Sequence, residues 1–181
     1  VEMGFSKVRL TGGEPLVRKG VIELCRSISG LSGVKDFAMT TNGLLLPEMA
    51  RELKAAGLMR LNISLDTLDP DKYHQITRIG SLDDALAGIA AEEAGFTNIK
   101  LNTVLIGGFN DCEIPRLVEL TKQKSYQVRF IELMPIGHTY PFDREAYLPM
   151  RTVLERVPEL EPVQSDGGVA RLYRLPGAKG T

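Results

Sequence analysis

Four cations stand inside short apolar runs of this sequence. Lys7 and Arg9 alternate with Val8 and Leu10, so they share one face of a strand. Lys100 sits within Ile99–Val104 and Arg129 within Gln127–Ile131. Each could face a helix layer with its stem buried. Four on one sheet would be costly without an anion. A phosphorylated ligand would satisfy them, arginine being suited to bidentate phosphate contact. Directly after Leu10 comes Thr11-Gly12-Gly13-Glu14-Pro15. Two consecutive glycines bare the backbone, so a ligand can approach its N–H and C=O groups closely. Glu14 adds a carboxylate suited to accepting hydrogen bonds from a ligand ammonium.

Further polar clusters follow the other apolar runs: Thr40-Thr41-Asn42-Gly43, Ser64-Leu65-Asp66, Asn102-Thr103 and Glu132-Leu133-Met134. The runs themselves predict strands at Lys7–Leu10, Asp36–Met39, Arg60–Ile63, Ile99–Val104 and Gln127–Ile131. Helical spacing predicts helices at Val21–Ser29, Pro47–Ala56, Leu82–Ala94 and Glu113–Lys122. Gly57 and Gly95 cap two of them, and Pro70-Asp71 opens a further short helix. Strand–helix alternation with short joints gives parallel β/α units, as a barrel or as an open doubly wound sheet. In either, ligands bind at the C-terminal ends of the strands, where all five polar clusters fall. Gly13, Thr40, Ser64, Asn102 and Met134 are therefore expected at one rim. After Pro149 the pattern changes to a helix (Met150–Val157) and two strands, around Glu161–Gln164 and Ala170–Leu175, joined by the turn Asp166-Gly167-Gly168.

Composition excludes several classes of function. The chain has 181 residues, 43% hydrophobic and 25% charged, enough for one core. A net charge of −1 gives no footprint for nucleic acid or an anionic membrane. No apolar run approaches the roughly 20 residues of a membrane span, and no signal peptide opens the chain. Cys25 and Cys112 lie far apart without metal spacing and read as reduced thiols of a cytoplasmic protein; His74 and His138 are isolated too. There is neither a GxGxxG followed by an acidic strand end nor a P-loop, which disfavours dinucleotide and ordinary P-loop sites. Val1–Gly4 reads as the tail of a helix, and "LPGAKGT" lacks a closing element, so the segment is expected to belong to something longer.

The stretches "VRLTGGEPL", "TTNG", "LNISLDTLDPDKYHQITR", "KLNTVL" and "VRFIELMPIG" together resemble the GTP 3′,8-cyclase family of molybdenum cofactor biosynthesis, radical S-adenosylmethionine enzymes. The resemblance runs from about Gly4 to Lys179. It implies an α/β fold, a partial (β/α)6 TIM-like barrel, with residues 1–148 forming the barrel core and 149–181 starting a C-terminal extension. It implies that Gly13, Ser64 and Met134 contact S-adenosylmethionine, with Gly12 and Glu14 beside them, the turn receiving the methionine amino group. Arg9, Thr40 and Lys100 match GTP-contacting positions, with Lys7 and Arg129 as further candidates. A homodimer is implied for the full-length protein.

The departures are specific. The family carries a cysteine trio before the first strand and another beyond the last residue here, each ligating a 4Fe-4S cluster. Neither is in this sequence. The chain alone is therefore expected to bind no iron and to be inactive. The resemblance also implies one residue more between Ile89 and Gly95; its lack would rotate that helix face by about 100°. A non-catalytic nucleotide-binding module and a different radical S-adenosylmethionine enzyme are the alternatives.

Overall fold

A computed structural model of the chain describes residues 4–97, 99–134, 146–164 and 170–181. Its frame is one sheet of five strands: β1 (Lys7–Leu10), β2 (Asp36–Thr41), β3 (Arg60–Ser64), β4 (Ile99–Leu105) and β5 (Gln127–Glu132). They lie in chain order and every pair is parallel. The strand positions agree with the apolar runs; β2 to β5 each extend one or two residues further toward the rim.

Helices α1 (Val21–Ser29), α2 (Leu46–Ala55), α3 (Pro70–Thr77), α4 (Leu82–Ile89) and α5 (Ile114–Gln123) connect them. Strand order equal to chain order places every right-handed crossover on the same side of the sheet. That is the single winding of a barrel, and it decides between the two architectures the alternation allowed. One face of the sheet packs against the helices and the other does not.

Burial along β4 separates the faces. Ile99, Leu101, Thr103 and Leu105 are buried, whereas Lys100, Asn102 and Val104 are half-buried. Ile99 and Leu101 join Phe37, Met39, Leu61 and Ile63 in one core with Leu46, Leu53, Tyr73, Leu82, Ile89 and Leu117 from the helices. Burying a large aliphatic or aromatic side chain contributes about 1.5–3 kcal/mol, so this outer layer carries most of the stabilisation. The inner face carries mostly polar and charged residues, with Ala38, Val104 and Ile131 among them.

Beyond Ile89 the chain tightens into a 3-10 helix at Ala90–Ala94, where the spacing predicts a continuing α-helix. Six α-helical residues turn about 600° and rise about 9 Å; five 3-10 residues turn about 600° and rise about 10 Å. The tighter winding covers in five residues the turn an α-helix takes in six, and Phe96, 1% exposed, follows it into the core. A 3-10 turn at Asp111–Glu113 likewise precedes α5, which therefore starts one residue later than its spacing predicts.

The C-terminal part forms α6 (Arg151–Arg156) and an antiparallel pair, β6 (Glu161–Val163) with β7 (Leu172–Arg174). All three are shorter than their patterns predict. Val153, Val157 and Leu175 pack on Leu105, Ile114 and Val118 in a second cluster. At the end of the chain, Val128 N–H donates to the Thr181 carbonyl (2.8 Å) and Thr181 N–H to the Tyr126 carbonyl (3.0 Å). Thr181 thus lies along the edge of β5 in parallel register. The helix tail expected at residues 1–3, the turn Asp166-Gly167-Gly168 and His138 fall outside the described residues.

Candidate functional site

Register assembles the inner face. Thr40 pairs with Asn62, Asn62 with Lys100 and Lys100 with Gln127. One row toward the rim, Ser64 pairs with Asn102 and Asn102 with Arg129. One row away from it, Arg9 pairs with Ala38 and Ala38 with Arg60; Lys7 pairs with Asp36 below. Paired residues in a sheet project to the same side, and the alternation fixes which side. Lys7, Arg9, Lys100 and Arg129 therefore share the inner face, with Arg60 as a fifth cation that the sequence pattern did not single out.

Asp36 stands among them. Arg60 grips Asp36 bidentately, its Nε donating to Oδ1 at 2.7 Å. That contact holds the Asp36 carboxyl below the usual carboxylate range despite partial burial, and the fields of Arg60, Lys7 and Lys100 lower it further. Among the described strand residues the register sets five cations and one carboxylate on this face. An open cavity of about 870 Å3 extends from this face round the edge of β5, lined by Arg9, Asn102, Gln127, Arg129, Arg171 and Tyr173 among others.

Above β1 the glycine turn is braced by its own glutamate. Glu14 Oε1 accepts from Leu16 N–H (3.0 Å) and the Thr41 hydroxyl (2.7 Å), and Oε2 from Asn42 N–H (2.7 Å). A carboxylate offers about four acceptor positions; among the described residues three are used, leaving one on Oε2 for a ligand. Thr41, which extends β2 beyond its predicted end, and Asn42 just after it are thus part of the bracket. Gly12 has φ of +152° and suits only glycine, and a Cβ at Gly12 or Gly13 would meet nothing within 4 Å. The turn presents bare backbone to open space.

Ser64 ends β3 exposed, level with Asn102, and Met134 stands 62% exposed two residues past β5. The rim behind Ser64 is fixed by a buried network. Glu113 accepts from the Thr67 hydroxyl (2.8 Å), Leu68 N–H (2.7 Å) and the Lys72 ammonium (3.0 Å). Asn110 donates to the Asp66 and Val104 carbonyls at 2.7 and 2.8 Å.

Asp66 itself is half-buried, and its desolvation pushes the carboxyl pKa up, partly offset by Val104 N–H at 2.8 Å. A raised folded-state pKa gives stability that is present below the unfolded value and lost as pH rises through the folded one. Asp66→Asn keeps the acceptor for Val104 without the charge. It is expected to raise Tm at pH 7, by about 2–4 °C per kcal/mol relieved, and to lose that advantage below about pH 4, where aspartate is protonated in both states. Thermal melts across pH check this.

The structure therefore brings together Lys7, Arg9, Thr40, Lys100, Arg129 and Ser64 on one face, with Gly12, Gly13, Glu14 and Met134 at its rim. Sequence reasoning missed Asp36, Arg60 and Asn62. The in-phase spacing Arg60-Asn62-Ser64 was the available signal for the last two.

This arrangement, a singly wound parallel sheet with an open glycine turn above a cationic inner face, has known relatives. The sequence profile of the radical SAM superfamily matches residues 1–121, and the chain belongs to that superfamily. It is 54% identical to a GTP 3′,8-cyclase of Peptoclostridium acidaminophilum and 48% identical to one of Alkaliphilus oremlandii, each over 99% of the chain. A third, from Marinobacter nauticus, is 51% identical over 99% of the chain. The chain spans 56–57% of the length of these relatives. Among solved structures it is similar to a domain of the pyruvate-formate lyase-activating enzyme from Bacteroides vulgatus, with a TM-score of 0.63, 18% identity and 98% of both chains covered. That likeness bears on the fold alone, which is of the partial-barrel kind.

Two ligand groups follow from such relatives, and the residues fit only one. The uncrowded Gly12-Gly13 backbone suits the methionine end of S-adenosylmethionine. An iron–sulfur cluster does not fit: among the described residues no three His, Cys, Asp or Glu side chains converge to hold a metal. Cys25 is fully buried in the core, where burial raises its thiol pKa, and Cys112 is exposed elsewhere.

Proposed function

We propose that these 181 residues are the central part of a GTP 3′,8-cyclase, a radical S-adenosylmethionine enzyme converting GTP to a cyclic pyranopterin precursor in molybdenum cofactor biosynthesis. The observation that carries this reading is the row of strand cations on the inner face beneath the open Gly12-Gly13 turn, in a chain about half identical to such enzymes. Arg9, Lys100, Lys7 and Arg129 hold the triphosphate, with Thr40 between strands. Gly13, Ser64 and Met134 contact S-adenosylmethionine, Gly12 gives it access, and Glu14 braces the turn with one acceptor position left for the ammonium. S-adenosylmethionine supplies hydrogen-atom abstraction when reduced; the residues here bind and orient. The ligands of both 4Fe-4S clusters lie outside residues 1–181 in this reading. The whole protein acts in the cytoplasm, as the homodimer the family resemblance implies, without nucleic acid or membrane. Among the described residues no helix is long and apolar enough to cross one.

Anaerobic reconstitution of the whole protein with GTP, S-adenosylmethionine and a reductant tests the reading. It predicts 5′-deoxyadenosine together with a GTP-derived cyclic product, and neither from the isolated 181-residue chain. GTP binding without 5′-deoxyadenosine would instead mark a non-catalytic module; 5′-deoxyadenosine without GTP turnover would mark a different radical enzyme.

Gly13→Val gives a sharper check on the cofactor position. A Cβ at this position meets no protein atom within 4 Å, so the melt should stay near the parent's. It fills the space a ligand backbone needs, so S-adenosylmethionine affinity should fall more than about tenfold while GTP affinity holds. Calorimetric titration of both ligands separates the two effects.

A further inference from the structure

Asn62 lies in the middle of the inner face, 1% exposed, and its amide oxygen is the only buried side-chain N or O atom among the described residues without a hydrogen-bond partner. Its Nδ2 donates to the Met39 carbonyl at 3.3 Å. That bond fixes the amide's orientation, since a flipped amide would set two carbonyl oxygens against each other. A buried acceptor left unpaired is unfavourable and calls for a donor. The register neighbours of Asn62 are Thr40 on one side and Lys100 on the other. Arg60, two residues earlier on the same face, is already locked on Asp36. Adjacent strands lie about 4.8 Å apart, less than the length of a lysine stem. A lysine stem on the neighbouring strand is therefore long enough to bring its ammonium to the Asn62 oxygen.

We infer that Asn62 is a positioning residue: when an anion occupies the inner face, the Asn62 amide oxygen accepts one N–H of the Lys100 ammonium and directs the other two at the anion. Without an anion, Lys100 adds to the positive field around Asp36, deeper on the same face. A bound polyphosphate draws the ammonium toward the rim and past Asn62, which then gains its missing donor. The inference rests on the nucleotide reading of this face.

A double-mutant cycle on the whole protein tests it. GTP dissociation constants are measured for the parent, Asn62→Leu, Lys100→Met and the double variant, with a melt on each. Asn62→Leu should weaken GTP binding about tenfold in the parent and less than about twofold in the Lys100→Met background. Asn62→Thr, which keeps an oxygen acceptor, should stay within about threefold of the parent. If the leucine variant does not fold, Asn62→Ala carries the same cycle. Equal losses in both backgrounds, or no loss in either, would overturn the inference while leaving the nucleotide site in place. A parent that fails to bind GTP would overturn the nucleotide reading, and this inference with it.

Discussion

Replacing Arg9 or Lys100 by alanine is expected to weaken GTP binding by about 10- to 150-fold, and to leave S-adenosylmethionine binding nearly unchanged. Each cation would make charge-assisted contacts with a phosphate, worth about 1.5–3 kcal/mol apiece. Both side chains project to the face that carries no helices, so neither plugs the apolar core. Their loss should cost little stability. Removing Lys100 also takes one cation from the neighbourhood of Asp36, which Arg60 still holds. If these cations instead packed against the helix layer, the variants would melt earlier and bind GTP like the parent. Titration calorimetry with melts on the same samples distinguishes the outcomes.

The second large effect is structural and runs against helix propensity. Gly88 lies inside α4, where alanine would ordinarily stabilise the helix by up to about 1 kcal/mol. Here a Cβ would collide with the Gly43 carbonyl oxygen and stand 2.9 Å from its carbon, so backbone must move. Gly43 has φ of +85° and sits at the end of the Thr40-Thr41-Asn42-Gly43 run, with the Ile63 side chain 3.0 Å from a Cβ built there. The contact seats α4 against the loop that Glu14 braces. Gly88→Ala is expected to cost about 3–5 kcal/mol, a large part of the 5–15 kcal/mol typical of a domain. Urea unfolding measures it; a variant within about 1 kcal/mol of the parent would mean the loop yields freely.

How far these features can be read from sequence depends on the distance between the residues involved. The five strands and their order follow from apolar runs of four to seven residues, because burial against helices leaves a local imprint. The rim follows as well, since parallel strands align their polar ends. Lys7 and Arg9 are plainly on one side of β1, yet which side is settled only by register with β2 and beyond. Asp36 and Arg60 are 24 residues apart and read as two unremarkable strand termini until β2 and β3 pair. Asn62 is hidden inside Leu61-Asn62-Ile63, where its neighbours advertise a buried strand and nothing marks the amide. The 3-10 turn at Ala90–Ala94 escapes a helical template because its spacing differs from α-helix by only about 20° per residue.

In the proposed function the inner face of this sheet holds a nucleoside triphosphate beneath a cofactor seated on the glycine turn. An anaerobic crystal structure of the whole protein with GTP and S-adenosylmethionine tests it most directly. The account predicts phosphate oxygens within hydrogen-bond distance of Arg9 and Lys100, and the methionine end of the cofactor against Gly12 and Gly13. GTP lodged on the helix side of the sheet, or at the roughly 260 Å3 hollow beside Phe96 and Tyr126, would contradict it.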